Sequence, residues 1–152
     1  MSGINKFNIR VYGLTINHKN EILLTDEIRF GMKMTKFPGG GLQFGEGTLD
    51  CLKREFLEEM NQDIRITNHF YTTDFFQETA LINEKQQLIS IYYCTELKNP
   101  INFNVKEKQY SFDNEFDGAQ IFRWVKIDKN LEKQLSFPID QIVAKKLFEN
   151  FN

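Results

Sequence analysis

One short stretch of this chain, Phe37 to Asp63, constrains its fold more than any other: FPGGGLQFGEGTLDCLKREFLEEMNQD. Three glycines follow Pro38, which predicts a strand end running into a loop where main-chain carbonyls and amides can come close to a bound group. From Thr48 to Met60 there is no Gly or Pro, and Leu, Glu, Lys and Arg dominate, so a helix of about three turns is expected. Gly47 lets the chain turn into that helix and Thr48 is the expected N-cap. Leu49, Leu52, Phe56 and Met60 fall on one stripe, which should pack against a sheet. Glu55, Glu58 and Glu59 stand at i, i+3 and i+4, so their carboxylates share adjacent faces and repel one another. A divalent cation would remove that cost and make the cluster a binding site. Ligation by carboxylate oxygens alone, without His or Cys, favours Mg²⁺, with Mn²⁺ as a substitute, over zinc.

Gly40, Glu46, Arg54, Glu55, Glu58 and Glu59 occur in the order G-x5-E-x7-R-E-U-x-E-E, with U apolar, which resembles the Nudix box. The chain departs from that pattern at two places. Asn61 replaces the closing glycine, at a helix C′ position that needs positive φ, where Asn is the best non-Gly occupant. Gln62 replaces the apolar residue after it, leaving Ile64 to take the packing role. The resemblance implies an α/β/α sandwich around a central mixed β-sheet and Mg²⁺-dependent hydrolysis of a pyrophosphate linkage in a small nucleotide. It also implies that Glu55 and Glu59 are the main metal ligands, that Glu58 is a ligand or general base, and that a carbonyl of Gly39 or Gly40 completes the shell. Arg54 would hold the glutamates in place with Glu46 as its partner, because a planar guanidinium orients a carboxylate through two hydrogen bonds. Relatives often add an acid from a downstream loop. Here Glu115 is the first choice for that role and Asp113 the second, against the plainer reading of a solvated acidic loop.

The 152 residues suit a single α/β domain spanning 1–152 with its own core. Asn8 to Ile16 and Glu21 to Thr25 read as strands joined by a turn at Asn17 to Asn20. Asp63 to Phe76 reads as a long strand, Asn83 to Lys85 as a turn, Leu88 to Leu97 and Ile121 to Val125 as further strands. Asn99 to Gly118 is polar and irregular, long enough to be suspected of function. Pro138 to Phe151 predicts a terminal helix capped by Ser136. The formal charge is −2 with both signs spread along the chain, which argues against nucleic-acid polymers and for a small-molecule partner. With neither a signal-peptide core nor a bilayer-length apolar run, a cytoplasmic protein without membrane association is expected. Cys51 and Cys94 lack metal spacing and read as buried or half-buried thiols.

Other apparent motifs fail. Asp113, Glu115, Asp117 and Gly118 imitate the start of a calcium-binding EF-hand loop, but its twelfth position is Trp124. Gly40 and Gly45 have P-loop spacing, yet Glu46 stands where the phosphate-binding Lys belongs. His18 and His69 belong to no nucleophilic triad. Substrate choice is less legible. Tyr71, Phe75 and Phe76 are candidates to meet a base, and Arg10, Arg29 and Lys36 to meet a distal phosphate, with core packing and solvated charge as the cheaper explanations. Nucleoside triphosphates and nucleotide sugars both stay open as substrates. The alternatives are a nucleotide-sensing domain of the same type that does not cleave, and an isoprenoid diphosphate isomerase, for which neither Cys has the right context. A homodimer is compatible with the resemblance.

Overall fold

The computed structural model describes residues 3–80 and 83–150, and Phe151, the last residue of the expected terminal helix, lies outside them. The strands are β1 (Phe7–Thr15), β2 (Glu21–Arg29), β3 (Met32–Lys36), β4 (Gly39–Gly41), β5 (Ile64–Thr72), β6 (Gln87–Leu97) and β7 (Gln120–Lys126). The helices are α1 (Thr48–Met60), the short α2 (Leu131–Gln134) and α3 (Pro138–Asn150). One sheet is mixed, in the order β4-β1-β6-β5, with β1 parallel to β6 and its other pairings antiparallel. A second, antiparallel sheet has the order β3-β2-β7.

Alternation along the central strands puts successive side chains into two cores. Val11 of β1 and Leu23 of β2 face α1, where they pack with Cys51, Leu52, Phe56 and Met60. Tyr12 and Leu14 of β1, and Ile22 and Leu24 of β2, point the other way, toward Leu131, Ile139, Val143 and Leu147 of α2 and α3. Strands buried on both faces between helices give the expected α/β sandwich. The strands nevertheless divide into two sheets rather than one.

Several local expectations shift. The N-cap of α1 is Gly47 in extended conformation, and Asp50 Oδ2 accepts the Gly47 N–H at 3.1 Å. Thr48 is then free to hydrogen-bond the Tyr93 hydroxyl. The buried stripe runs through Cys51 rather than Leu49, which is exposed, so α1 is turned to bring Glu55 and Glu59 to the inner edge of its packed face. Asn61 adopts φ 51 and ψ 43 and closes the helix with N–H bonds back to Leu57 O and from Gln62 to Phe56 O. Gln62 is buried, its Nε2 donating to Asn99 O, and Ile64 does join the core. Strand β5 stops at Thr72, short of Phe76. The Ser136 hydroxyl accepts the Thr35 N–H at 2.8 Å rather than serving α3.

The irregular segment from Asn99 to Gly118 is held by buried charge. Asp26 and Arg123 are almost fully buried and form a two-pronged pair, with Nε–Oδ2 at 2.7 Å and Nη2–Oδ1 at 3.0 Å. Asp26 also accepts the Thr35 hydroxyl and the Tyr110 N–H, the latter from within that segment. Removing one member of a buried pair strands the other charge, which costs about 3–5 kcal/mol. Arg123→Met should therefore lower the unfolding free energy in urea by about 3 kcal/mol or more. A loss below about 1 kcal/mol would show that the pair does not anchor the fold.

Candidate active site

Arg54 gathers the acids. Its Nε donates to Glu46 Oε2 at 2.9 Å and its Nη2 to Glu46 Oε1 at 2.7 Å, the fork-on-fork arrangement expected for this pair. The same Nη2 donates to Gly41 O at 3.1 Å, tying α1 to β4. Nη1 donates to Glu55 Oε1 at 3.0 Å and to Glu58 Oε2 at 3.2 Å. The Arg54 hydrogen bonds, helped by the Gln43 N–H, hold the Glu46 carboxyl down at about 2, and the same acids raise the Arg54 pKa. One guanidinium thus keeps Glu46 in place and brings Glu55 and Glu58 together.

Glu55 and Glu59 face inward while Glu58 does not. The Glu55 side chain is 13% exposed and the Glu58 side chain 58%. Glu55 lies against Gly40 so closely that a Cβ there would sit 2.4 Å from its carboxylate carbon. Gly39 is equally confined, with φ 151 and a would-be Cβ 2.1 Å from Val11 O. Only glycine fits this approach. Glu59 differs: its Oε2 is buried without a hydrogen-bond partner. Burial pushes its pKa up to about 7, against the pull of Lys36, with Glu27 and Glu55 adding to the rise.

Glu27 escaped the sequence reading. It is almost fully buried on β2 and pairs with Lys36 Nζ at 3.1 Å, with Arg29 and Gln120 each at 3.4 Å. Burial opposes the Lys36 ammonium, but Glu27, aided by Tyr12 and Glu59, leaves its pKa raised. The signal for Glu27 was the charged pair Asp26-Glu27 following the apolar run Ile22-Leu23-Leu24 and preceding Ile28. Arg10, on β1, donates Nε to the Tyr12 hydroxyl at 2.7 Å and feels both Glu55 and Glu27. Arg10 and Lys36 border a cavity of about 330 Å³ whose lining also includes Tyr12, Glu27, Tyr92 and Asp140. Tyr71, Phe75 and Phe76 are not part of that lining. Glu115 is also elsewhere: it pairs with Lys33 at 3.2 Å and makes no hydrogen bond or ion pair with the Arg54 cluster. Asp113 pairs with Lys106 at 2.8 Å. Cys51 is buried, and burial, with Glu46 nearby, pushes its thiol up to about 12, which suits an inert core residue.

Residues 6–146 match the family model for the NUDIX domain. The chain belongs to the NUDIX family. Solved structures share its fold at low identity. A NUDIX hydrolase from Nitrosomonas europaea is 17% identical, with 96% of this chain and 90% of that chain covered and a TM-score of 0.69. The MutT protein from Methanosarcina mazei Go1 is 16% identical, with 97% of each chain covered and a TM-score of 0.69. A MutT structure studied for Aliivibrio salmonicida and Vibrio cholerae is 24% identical, covers 96% of this chain and 100% of that chain, and has a TM-score of 0.59. As a Nudix hydrolase the protein is an enzyme of pyrophosphate bonds in nucleoside diphosphate derivatives, a chemistry that generally needs a divalent metal.

Its residues fit such an ion by the chemistry of the donors. Among the described residues no three His, Cys, Asp or Glu groups converge closely enough to hold one as the side chains stand. Arg54 serves as counter-ion to Glu55 and Glu58, and the Lys36 charge acts on Glu59. The buried, unpartnered Glu59 oxygen beside Glu55 is the donor atom that a cation would satisfy. Among the described residues no helix is long and apolar enough to cross a membrane.

Asp140 supplies a pH test of the cavity wall. It is buried, accepts the Tyr92 hydroxyl at 2.5 Å, and burial raises its pKa from 3.8 to about 6 despite that bond. Between those values the folded protein keeps a proton that the unfolded chain has released. This contribution to stability is complete below 3.8 and lost as pH rises through about 6. Its size is about 3 kcal/mol, and Asp140→Asn should remove this pH dependence. Urea titrations at pH 4.5 and 7.5 would check it; the same pH dependence in both proteins would dismiss the shift.

Proposed function

We propose that this Nudix hydrolase uses Mg²⁺, with Mn²⁺ as a substitute, to cleave the pyrophosphate linkage of a small nucleotide, either a nucleoside triphosphate or a nucleoside diphosphate joined to another moiety. The observation that carries the reading is the orphaned, buried Oε2 of Glu59 beside the Glu55 carboxylate, which is itself pressed against Gly40. Glu55 and Glu59 would hold the ion, with Glu58 and a carbonyl of Gly39 or Gly40 as further donors. Bound there, Mg²⁺ supplies charge neutralisation on the diphosphate and a water made easier to deprotonate.

The chain's own residues do the rest. Arg10 and Lys36 line the cavity and feel the charge of Glu55 and Glu59 respectively, so they would meet the negative charge of the phosphates. Lys36 carries a matched partner in Glu27, so its ammonium stays charged although buried. Arg54 keeps Glu55 and Glu58 oriented and is itself fixed by Glu46 and Gly41. Glu58, exposed and tethered only through Arg54, is free to take the proton from the attacking water. That assignment is preferred to Glu115, which is committed to Lys33 away from the cluster. The described residues are proposed to act as one catalytic unit. Both cysteines are free, which suits a reducing compartment such as the cytoplasm.

The test is a Mg²⁺-supplemented screen of nucleoside triphosphates, nucleotide sugars, ADP-ribose and dinucleotides, with products identified by mass. Binding without cleavage would turn the reading into a nucleotide sensor. For the substrate found, Glu58→Gln should reduce kcat by at least about a hundredfold. Glu115→Gln should stay within about twofold, since its exposed ion pair contributes little. The reverse pattern would move the base to the loop before β7.

A further inference from the structure

The turn between β2 and β3 sets backbone and side chain at odds. Phe30 has φ 53 and Gly31 φ 73, the two left-handed residues of a type I′ hairpin turn. The first of these positions normally takes Asn, Asp or Gly, because a bulky side chain there crowds its own backbone. The Phe30 ring is moreover 72% exposed, so burial does not compensate. Three contacts from the loop before β7 hold the turn in this state. Asp117 Oδ1 accepts the Phe30 N–H at 2.7 Å, the Gly118 N–H donates to Ile28 O at 2.7 Å, and Lys33 pairs with Glu115 at 3.2 Å. A strained residue so firmly held is a signature of use.

Phe30 is also part of the cavity wall, with Tyr12, Tyr92, Arg10 and Lys36 in the same lining, and Arg10 feels the charge of Glu55 and Lys36 that of Glu59. We propose that Phe30 is an aromatic platform on which the nucleobase of the substrate stacks, kept in place by the Asp117 carboxylate. This rests on the pyrophosphohydrolase reading above. The base then lies against Phe30 while the phosphates pass Arg10 and Lys36 toward Glu55 and Glu59. A flat ring accepts any base face, so the platform confers affinity for a nucleotide over a bare diphosphate, with little choice among bases.

Calorimetric binding tests this with probes that cannot be cleaved: the α,β-methylene diphosphates of adenosine, guanosine, cytidine and uridine, and methylenediphosphonate as the control without a base. Phe30→Asn should weaken the nucleotides by about tenfold or more. It should leave methylenediphosphonate unchanged and raise Tm by about 3 °C, because Asn tolerates the left-handed backbone. Phe30→Trp should restore nucleotide affinity. The platform is overturned if Phe30→Asn binds nucleotides like the wild type, if methylenediphosphonate weakens equally, or if the wild type binds none of the four. Unchanged affinity with a fall in mass by light scattering would instead make Phe30, with the neighbouring exposed Met32 and Phe116, a contact between copies. Phe30-dependent binding without cleavage in the substrate screen would sink the hydrolase reading and leave the platform standing. Normal cleavage with Phe30-independent binding would do the opposite.

Discussion

The hydrogen bonds of Arg54 are what the site depends on. Three carboxylates on one helical face, with a fourth in the preceding loop, would spread apart in the absence of positive charge. A single guanidinium accommodates Glu46, Glu55 and Glu58 together and still reaches the Gly41 carbonyl. Its planar geometry matters as much as its charge, because each nitrogen is directed at a different acceptor. A lysine would offer one point charge and could not register helix, loop and strand at once. This fixes α1 against β4 and brings Glu55 onto Gly40, where no side chain but hydrogen fits.

Buried charge does similar work in the second sheet. On β2, Asp26 and Glu27 are adjacent and point to opposite faces. Asp26 with Arg123 anchors the irregular segment at Tyr110, and Glu27 with Lys36 acts on Glu59 of α1. This one strand therefore carries two jobs, one structural and one electrostatic. Glu27 and Lys36 also line the cavity, together with the cations Arg10 and Arg29.

The NUDIX family was legible from one segment, because Gly40, Glu46, Arg54, Glu55, Glu58 and Glu59 are local: helical periodicity alone sets their relative positions. Asn61 was legible for the same reason, since a helix end requires a left-handed residue at that offset. Leu49 misled because an apolar residue at the margin of a stripe is indistinguishable from one at its centre until the partner surface is known. Tyr71, Phe75 and Phe76 were plausible by residue type, yet Tyr71 packs against the core, Phe75 and Phe76 lie beyond the end of β5 at Thr72, and none of them lines the cavity. The pairing of Glu115 with Lys33 was not legible, because it depends on where the β2–β3 hairpin meets the loop before β7.

Local order along the chain was thus enough to determine α1, its arginine–glutamate set, its glycine lead-in and the alternation of strands around it. Tertiary structure alone decided which side chains from distant elements line one cavity: Glu27 and Lys36 from one sheet, Arg10 from the other, Asp140 from α3, and Phe30 at a turn held by Asp117. The division has a simple physical cause. Spacing within a helix or strand follows from backbone geometry and can be read residue by residue. Meetings between elements depend on packing summed over the whole core, which no single segment encodes.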